Sequence, residues 1–106
     1  MTQVPEVSVA EASAAVDRGA VLIDVREPHE HAEQRIPGAR LIPLGDVPER
    51  LAEIPAEGEV YVHCRLGGRS AKAVEFLISQ GRGNARNVAG GIEAWSAAGL
   101  PTTAGS

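Results

Sequence analysis

The sequence predicts an α/β domain with a mainly parallel β-sheet of about five strands. Short apolar runs that suit buried strands alternate with segments that suit helices along the whole chain. Strands that are separated by helices pair in parallel through right-handed crossovers. At 106 residues, with no linker, internal repeat or low-complexity segment, the chain is long enough for one hydrophobic core. We therefore predict a single domain over residues 1–106.

The N-terminal part of the chain predicts an edge strand, a helix and a central strand. Residues 6–7 follow a proline in an extended segment that suits the edge of a sheet. Residues 8–11 (SVAE) have the form of a capping box, which begins an alanine-rich helix that ends at Gly19. Residues 20–25 (AVLIDV) are almost all apolar, as expected of a parallel strand that is covered on both faces.

The next part of the chain predicts two short helices around one short strand. Pro28 suits the first turn of a helix over residues 29–34, because its fixed φ angle is already helical. A turn and a short strand over residues 40–43 follow. Residues 46–49 (DVPE) form a second capping-box pattern, here with an acidic cap, which predicts a helix to about Ile54.

The segment over residues 59–81 predicts a strand, a tight loop and a helix. Residues 60–62 (VYV) suit a buried strand, and apolar residues recur at helical spacing until Gly81 ends the helix. The remaining predicted elements are a strand over residues 85–88, a helix over residues 92–98 that Gly99 closes, and a frayed tail over residues 102–106.

Composition excludes several classes of function. Net charge is −4, which gives no support for binding nucleic acid or an anionic membrane surface. The single cysteine excludes an intramolecular disulfide and a CxxC motif. The N-terminus lacks the basic and apolar regions of a signal peptide, and no apolar run approaches membrane-spanning length. We therefore expect no nucleic-acid and no membrane partner. We also expect a cytoplasmic protein, in which the thiol stays reduced.

The cysteine lies at the end of a predicted strand, where parallel sheets bind their ligands. A lone cysteine is commonly a small buried apolar residue, but the surroundings of Cys64 are polar and rich in glycine. The glycines allow backbone N–H groups to turn inward, and the following helix directs its positive end toward the same place. These features favour the thiolate, which is the reactive form. The loop after Cys64 consists of Arg65, Leu66, Gly67, Gly68, Arg69 and Ser70, and Lys72 adds a further positive charge nearby.

Three sequence motifs in order resemble those of rhodanese-type sulfurtransferases. The loop Cys-Arg-Leu-Gly-Gly-Arg-Ser over residues 64–70 is similar to the active-site loop of that family. DVRE over residues 24–27 with IPGA over residues 36–39 resembles the first family signature. NVAGGIEAW over residues 87–95, followed by Gly99-Leu100-Pro101, resembles the C-terminal signature. The resemblance covers about residues 16–101 and implies a three-layer α/β/α rhodanese-like domain.

The resemblance implies transfer of a sulfane sulfur. Cys64 would attack the outer sulfur of a donor such as thiosulfate, hold that sulfur as a persulfide, and pass it to cyanide or a thiol. Inward-pointing N–H groups suit the anionic end of a persulfide, and Arg65 and Arg69 suit an oxyanionic donor. No metal and no organic cofactor is expected, since the cysteine itself carries the sulfur. We expect a monomer.

Two alternatives remain open at this stage. His63-Cys64 with Gly67, Arg69 and Ser70 also resembles the loop of cysteine-dependent phosphatases and arsenate reductases, but that pattern is one residue longer between cysteine and arginine. The shorter loop should form a narrower site that suits one sulfur atom better than a tetrahedral phosphate. The second alternative is a persulfide carrier or sensor module that serves a protein partner, for example a protein sulfur acceptor.

Several other residues suggest a function, and a structural role is the expectation for most of them. Asp24, Arg26 and Lys72 are possible members of a rim around the site. We expect Asp24 to accept hydrogen bonds from neighbouring backbone and Arg26 to pair with Glu30 or Glu33.

The histidines and two further residues complete the candidate set. We expect His63 to pack away from the thiol, and we expect His29 and His31 to contribute to the rim and to bind no metal. Trp95 should fill the core. Ser70 should cap the helix that follows the loop, with its hydroxyl toward the sulfur.

Overall fold

The computed structural model describes residues 4–104 and contains a five-stranded parallel sheet. The strands are β1 (Glu6–Val7), β2 (Val21–Asp24), β3 (Arg40–Leu41), β4 (Val60–His63) and β5 (Ala85–Val88). They lie in the spatial order β1-β5-β4-β2-β3, and every pair of neighbours is parallel. The predicted α/β class and strand number are confirmed.

Helices cover both faces of this sheet. They are α1 (Val9–Asp17), α2 (Pro28–Glu33), α3 (Gly68–Ser79) and α4 (Gly91–Ala97). Two hydrophobic clusters, one on each face of the sheet, fill the space between the sheet and the helices. One contains Ala73, Val74 and Leu77 of α3, and the other contains residues of α1 and α4. The three-layer α/β/α arrangement follows from these two clusters.

The central strands alternate between the two clusters residue by residue. Leu22 pairs in register with Tyr61 and Ile23 with Val62. Leu22 and Tyr61 belong to the cluster beneath α1 and α4, whereas Ile23 and Val62 belong to the cluster beneath α3. Because adjacent side chains of a strand point to opposite faces, a strand covered on both sides is apolar throughout. This explains the apolar runs in the sequence.

The prediction of a helix over residues 46–54 is wrong. The chain instead forms two 3₁₀ turns, Leu44–Asp46 and Leu51–Glu53. Pro55 forces Ile54 into an extended conformation (φ −101°, ψ 120°). The segment between Pro48 and Pro55 is then too short for a stable α-helix, and its bonds run from Glu53 N to Arg50 O and from Ile54 N to Leu51 O.

Two residues of the predicted frayed tail, Thr102 and Thr103, are held by hydrogen bonds. Thr103 and Arg35 form an antiparallel bridge in which each N–H donates to the other's carbonyl at 2.8 Å. Gln34 Nε2 also donates to Thr102 Oγ1 at 3.1 Å. The end of the tail, residues 105–106, lies outside the described residues. Over residues 4–104, no helix is both long and apolar enough to cross a membrane.

The layered core predicts a large difference between two leucines. Leu77 on α3 is 1% exposed and packs in the core, whereas Leu66 in the loop is 67% exposed. Leu77→Ala should lower the free energy of unfolding by about 2–5 kcal/mol, because it removes buried methyl groups and leaves a cavity. The control Leu66→Ala should change that free energy by no more than about 0.5 kcal/mol. Chemical denaturation measures both, and equal losses in the two variants would contradict the assigned packing.

Candidate active site

The site lies at the carboxyl edge of the sheet, where β2 and β4 end side by side. Asp24 at the end of β2 is in register with His63 at the end of β4. The residues that follow these strands, the loop after Cys64 and the segment after Asp24, therefore meet at the same edge. The sequence predicted this meeting from the parallel arrangement of the strands.

The sulfur of Cys64 is buried in a ring of hydrogen-bond donors. Cys64 is 1% exposed, and its side chain also contacts the core beneath α3. The backbone N–H of Gly67 donates to the sulfur at 3.0 Å, and the hydroxyl oxygen of Ser70 lies 3.3 Å from it. Gly67 has a φ angle of +110°, which is open to glycine and strained for other residues. The predicted cradle is thus present around the thiol.

The donor ring favours the thiolate form. Burial raises the pKa of Cys64, but hydrogen bonds from the Ser70 side chain and from the backbone N–H groups of Ser70, Gly67 and Leu66 lower it. The hydrogen bonds outweigh burial, so the pKa of the Cys64 thiol lies below its usual value. A larger fraction of the sulfur is therefore nucleophilic at neutral pH.

The first turn of α4 fixes the start of the loop. The N–H of Ile92 donates to the carbonyl of Cys64 at 2.9 Å, and the N–H of Glu93 donates to the carbonyl of Arg65 at 3.1 Å. With these carbonyls held toward α4, the N–H groups that follow are free to face the sulfur. The approach is so close that a Cβ atom on Gly91 would overlap the carbonyl groups of Cys64 and Arg65. Gly91 of the C-terminal motif makes this close contact possible.

Ser70 takes a different place from the one predicted. It lies in the first turn of α3, behind the N-cap residue Gly67, and so does not cap the helix. Its hydroxyl points toward the sulfur as expected, and it also lies 2.5 Å from Oδ1 of Asn87. Asn87 was not among the predicted site residues. The available signal was an uncharged polar residue in a strand that neighbours β4.

The two loop arginines do not present free positive charge. Arg69 donates to both carboxylate oxygens of Glu30, at 2.7 and 3.0 Å. This hydrogen-bonded pair lowers the pKa of Glu30 to about 2, against a smaller opposing effect of burial. Arg65 donates to Glu93 at 3.4 Å in an exposed pair. The two guanidinium groups that we expected to hold an oxyanionic donor are therefore each paired with a carboxylate.

The predicted rim residues Asp24 and Arg26 form a buried pair, and Lys72 is exposed on α3. Asp24 accepts a hydrogen bond from the backbone N–H of Arg26 at 2.9 Å, as expected. The pairing predicted for Arg26 with Glu30 or Glu33 is wrong. Its side chain folds back, so that Nη2 contacts Asp24 Oδ2 at 2.8 Å and the carbonyl of Gln34 at 2.6 Å.

The buried carboxylate of Asp24 organises the histidines nearby. Nδ1 of His31 lies 2.8 Å from Asp24 Oδ2. Burial raises the pKa of Asp24, but hydrogen bonds from Arg26 and His31 lower it, and the net shift is downward. This cluster ties α2 to the end of β2.

His63 contacts the backbone of Cys64 and has no contact with the sulfur among its described hydrogen bonds. The ring is fully buried, and Nδ1 lies 3.1 Å from the carbonyl oxygen of Cys64. Because that partner is an acceptor, Nδ1 carries the hydrogen. Burial lowers the pKa of His63 by more than the negative charge of Asp24 raises it. The ring is therefore neutral at pH 7. This agrees with the predicted packing role.

A pocket of about 450 Å³ lies beside the loop. It is bounded by α2, by Arg26 and Arg65, and by Ile92 and Glu93 of α4. His29 lines it, as expected of a rim residue, together with Glu30 and Glu33. Within residues 4–104, no group of three histidine, cysteine or carboxylate side chains is arranged to hold a metal ion.

The contact between α4 and the loop predicts that Gly91 tolerates no side chain. Gly91 has a φ angle of +58°, and an added Cβ would lie 2.7 Å from the carbonyl carbon of Arg65. Gly91→Ala should lower the free energy of unfolding by at least about 2 kcal/mol and slow alkylation of Cys64. Gly83 has no positive φ and no atom within 4 Å of an added Cβ. The control Gly83→Ala should be neutral or stabilise by less than about 1 kcal/mol. Wild-type stability in Gly91→Ala would contradict this contact.

Comparison with known proteins agrees with this geometry. The family model described as "Rhodanese-like domain" matches residues 8–98. A protein of Allochromatium vinosum named "Sulfurtransferase" is 43% identical over 84 residues, which cover 79% of this chain and 78% of that protein. The "Thiosulfate sulfurtransferase GlpE" of Stutzerimonas stutzeri is 30% identical over 95 residues, covering 90% and 87% of the two chains.

Solved structures show the same fold. A rhodanese-related protein from Thermoplasma volcanium superposes with a TM-score of 0.86 at 31% identity, covering 93% of this chain and 97% of that one. The thiosulfate sulfurtransferase of Pseudomonas aeruginosa gives a TM-score of 0.88 at 27% identity, covering 97% of this chain and 21% of that one. The family model, the relatives and the shared fold agree, and the chain belongs to the family of rhodanese-like domains.

Proposed function

We propose that this chain is a sulfurtransferase that moves a sulfane sulfur from a donor such as thiosulfate to a thiol or cyanide, through a persulfide on Cys64. The observation that carries the proposal is the ring of donors around a buried sulfur, formed by Gly67 N–H and the Ser70 hydroxyl. Such a ring stabilises an anionic sulfur, either the thiolate or the terminal atom of a persulfide. The sulfurtransferase names of the relatives support the same reaction class.

The proposed reaction has two balanced steps. In the first, the Cys64 thiolate attacks the outer sulfur of the donor, a sulfur–sulfur bond forms on Cys64, and the bond within the donor breaks. Sulfite leaves when the donor is thiosulfate. In the second, an acceptor thiolate attacks the terminal sulfur and leaves as a persulfide, and the Cys64 thiolate is restored. The reaction needs the reduced thiol, which is why we propose a reducing compartment such as the cytoplasm.

Phosphoryl or arsenate chemistry is less well supported by the site. A phosphate group needs a guanidinium that can face it with two donors. The fork of Arg69 is instead engaged by both oxygens of Glu30, at 2.7 and 3.0 Å. Cys64 is also 1% exposed, so little space surrounds a bond that forms on its sulfur, and the phosphorus of a phosphate would bring its oxygens into that space. A single sulfur atom places a smaller demand on this space.

The pocket beside the loop supports a thiol acceptor without negative charge. Its volume of about 450 Å³ exceeds what cyanide requires. The lining arginines are offset by nearby carboxylates, since Arg26 pairs with Asp24 and Arg65 with Glu93. Glu33 also lines the pocket and forms no ion pair within residues 4–104. The remaining charge at the mouth is therefore negative, and it favours neutral or cationic thiols.

The persulfide itself is the first test. After incubation with thiosulfate, mass spectrometry of the intact protein should show an added mass of about 32 Da, one sulfur atom, located on Cys64. Cys64→Ser should show no such mass and should lose sulfur transfer by at least about a thousandfold. Thiosulfate and an aryl phosphate are compared as substrates in parallel. Release of phosphate without the added sulfur, or sulfur transfer that survives in Cys64→Ser, would overturn the proposal.

A second test varies the charge of the acceptor at constant size. With cysteamine, 2-mercaptoethanol and mercaptoacetate compared at equal thiolate concentration, kcat/KM should fall by about two- to fourfold at each step from positive to negative. The trend should weaken at high salt and in Glu33→Gln. The matched control Glu75→Gln changes an exposed carboxylate of α3 that does not line the pocket. Preference for mercaptoacetate would show that the arginines dominate instead.

A further inference from the structure

The hydroxyl group of Ser70 has one hydrogen and two neighbours that can accept it. Its oxygen lies 3.3 Å from the sulfur of Cys64 and 2.5 Å from Oδ1 of Asn87. Ser70 and Asn87 are both fully buried, so water does not supply a substitute donor. A hydroxyl donates one hydrogen bond only. Sulfur and amide oxygen therefore cannot both receive this hydrogen at once.

The orientation of the Asn87 amide is fixed by two acceptors on its other side. Nδ2 donates to the carboxylate of Glu6 at 3.1 Å and to the carbonyl of Gly67 at 3.2 Å. Both partners are acceptors, so the NH₂ group faces them and Oδ1 faces Ser70. Asn87 thus presents an acceptor, and not a donor, to the hydroxyl of Ser70.

We propose that Asn87 is a positioning residue that competes with the Cys64 sulfur for the hydrogen of Ser70. In the protonated state, the Cys64 S–H donates to the Ser70 oxygen, and Ser70 donates to Asn87. When the thiol gives its proton to solvent, the Ser70 hydrogen turns from Asn87 to the thiolate. The buried Oδ1 then loses its donor, which costs free energy. Asn87 therefore opposes the anionic sulfur that Ser70 and Gly67 stabilise.

This competition bears on the proposed sulfur transfer, and the inference rests on that role of Cys64. Ser70 contacts the Cys64 sulfur itself, which is the attacking atom in the first step and the leaving atom in the second. Firmer stabilisation of that thiolate makes it a weaker nucleophile toward the donor and a better leaving group toward the acceptor. By limiting the stabilisation, Asn87 keeps the thiolate nucleophilic enough to take up a sulfur.

The test measures the ionisation of Cys64 directly and does not require sulfur transfer. The midpoint of thiolate absorbance near 240 nm and the midpoint of the iodoacetamide alkylation rate are each followed against pH. Altered access to the sulfur changes the plateau of the alkylation rate and leaves both midpoints in place. Because neither readout uses a sulfur donor, a failed persulfide assay would leave this experiment valid.

Asn87→Ala should move both midpoints to lower pH, by about 0.5 to 1 on the pH scale, because the sulfur is then the only acceptor near the Ser70 hydroxyl. Below the midpoint, alkylation should become about three- to tenfold faster. Ser70→Ala should move the midpoints the opposite way. In the Ser70→Ala background, adding Asn87→Ala should change the alkylation rate by less than about twofold, since the shared hydrogen is gone.

A second variant decides the question if Asn87→Ala does not fold. Asn87→Leu keeps the branched shape of asparagine, which avoids a large cavity at this buried position, but it offers no acceptor to Ser70. The midpoints should fall in Asn87→Leu as in Asn87→Ala. Midpoints that stay or rise in the folded Asn87 variant would overturn the proposal. An equal fall with and without Ser70 would also overturn it.

Discussion

The carbonyl group of Cys64 is the point on which the site depends. It accepts one hydrogen bond from the N–H of Ile92 and another from Nδ1 of His63. Two donors on one carbonyl fix the peptide plane that leads into the loop, and the next N–H groups then face the sulfur. A helix from the end of the chain and a strand from its middle thereby define the orientation of a few backbone dipoles. The chemistry of the sulfur follows from that orientation more than from any charged side chain.

Charge at the site is arranged differently from the pattern suggested by composition. Two arginines in the loop after Cys64 indicated an electropositive mouth, yet Arg69 and Arg65 each pair with a carboxylate from another element. Glu30 comes from α2 and Glu93 from α4, so the two arginines connect the loop to the helices on either side. Their main effect is to hold the loop between these helices. Stabilisation of negative charge on the sulfur is left to the hydrogen-bond donors.

Much of the fold could be predicted because burial on both faces leaves a direct mark on the sequence. Residues 20–25 are apolar except for Asp24, residues 60–62 are Val-Tyr-Val, and both segments form central strands. The position of Cys64 could be predicted for the same reason, since it follows such a strand.

The partner of the Arg26 side chain could not be predicted. Asp24 is only two residues away, and the contact requires the side chain of Arg26 to fold back toward it. Asn87 was missed because its contact with Ser70 joins residues from different elements. The helix predicted over residues 46–54 does not form, because a capping pattern at its start carries no information about Pro55 at its end.

The helix that holds the loop also contains the only tryptophan of the chain, Trp95. Its indole is buried, and Nε1 donates to the carbonyl of Pro101 at 2.8 Å. An indole in a dry, fixed environment has an emission colour and lifetime that change when its packing or its hydrogen bond changes. The protein therefore contains an intrinsic optical probe one helical turn from the backbone groups that orient the sulfur. A change in the packing of α4 against the loop should therefore alter the fluorescence of the protein, without any attached label.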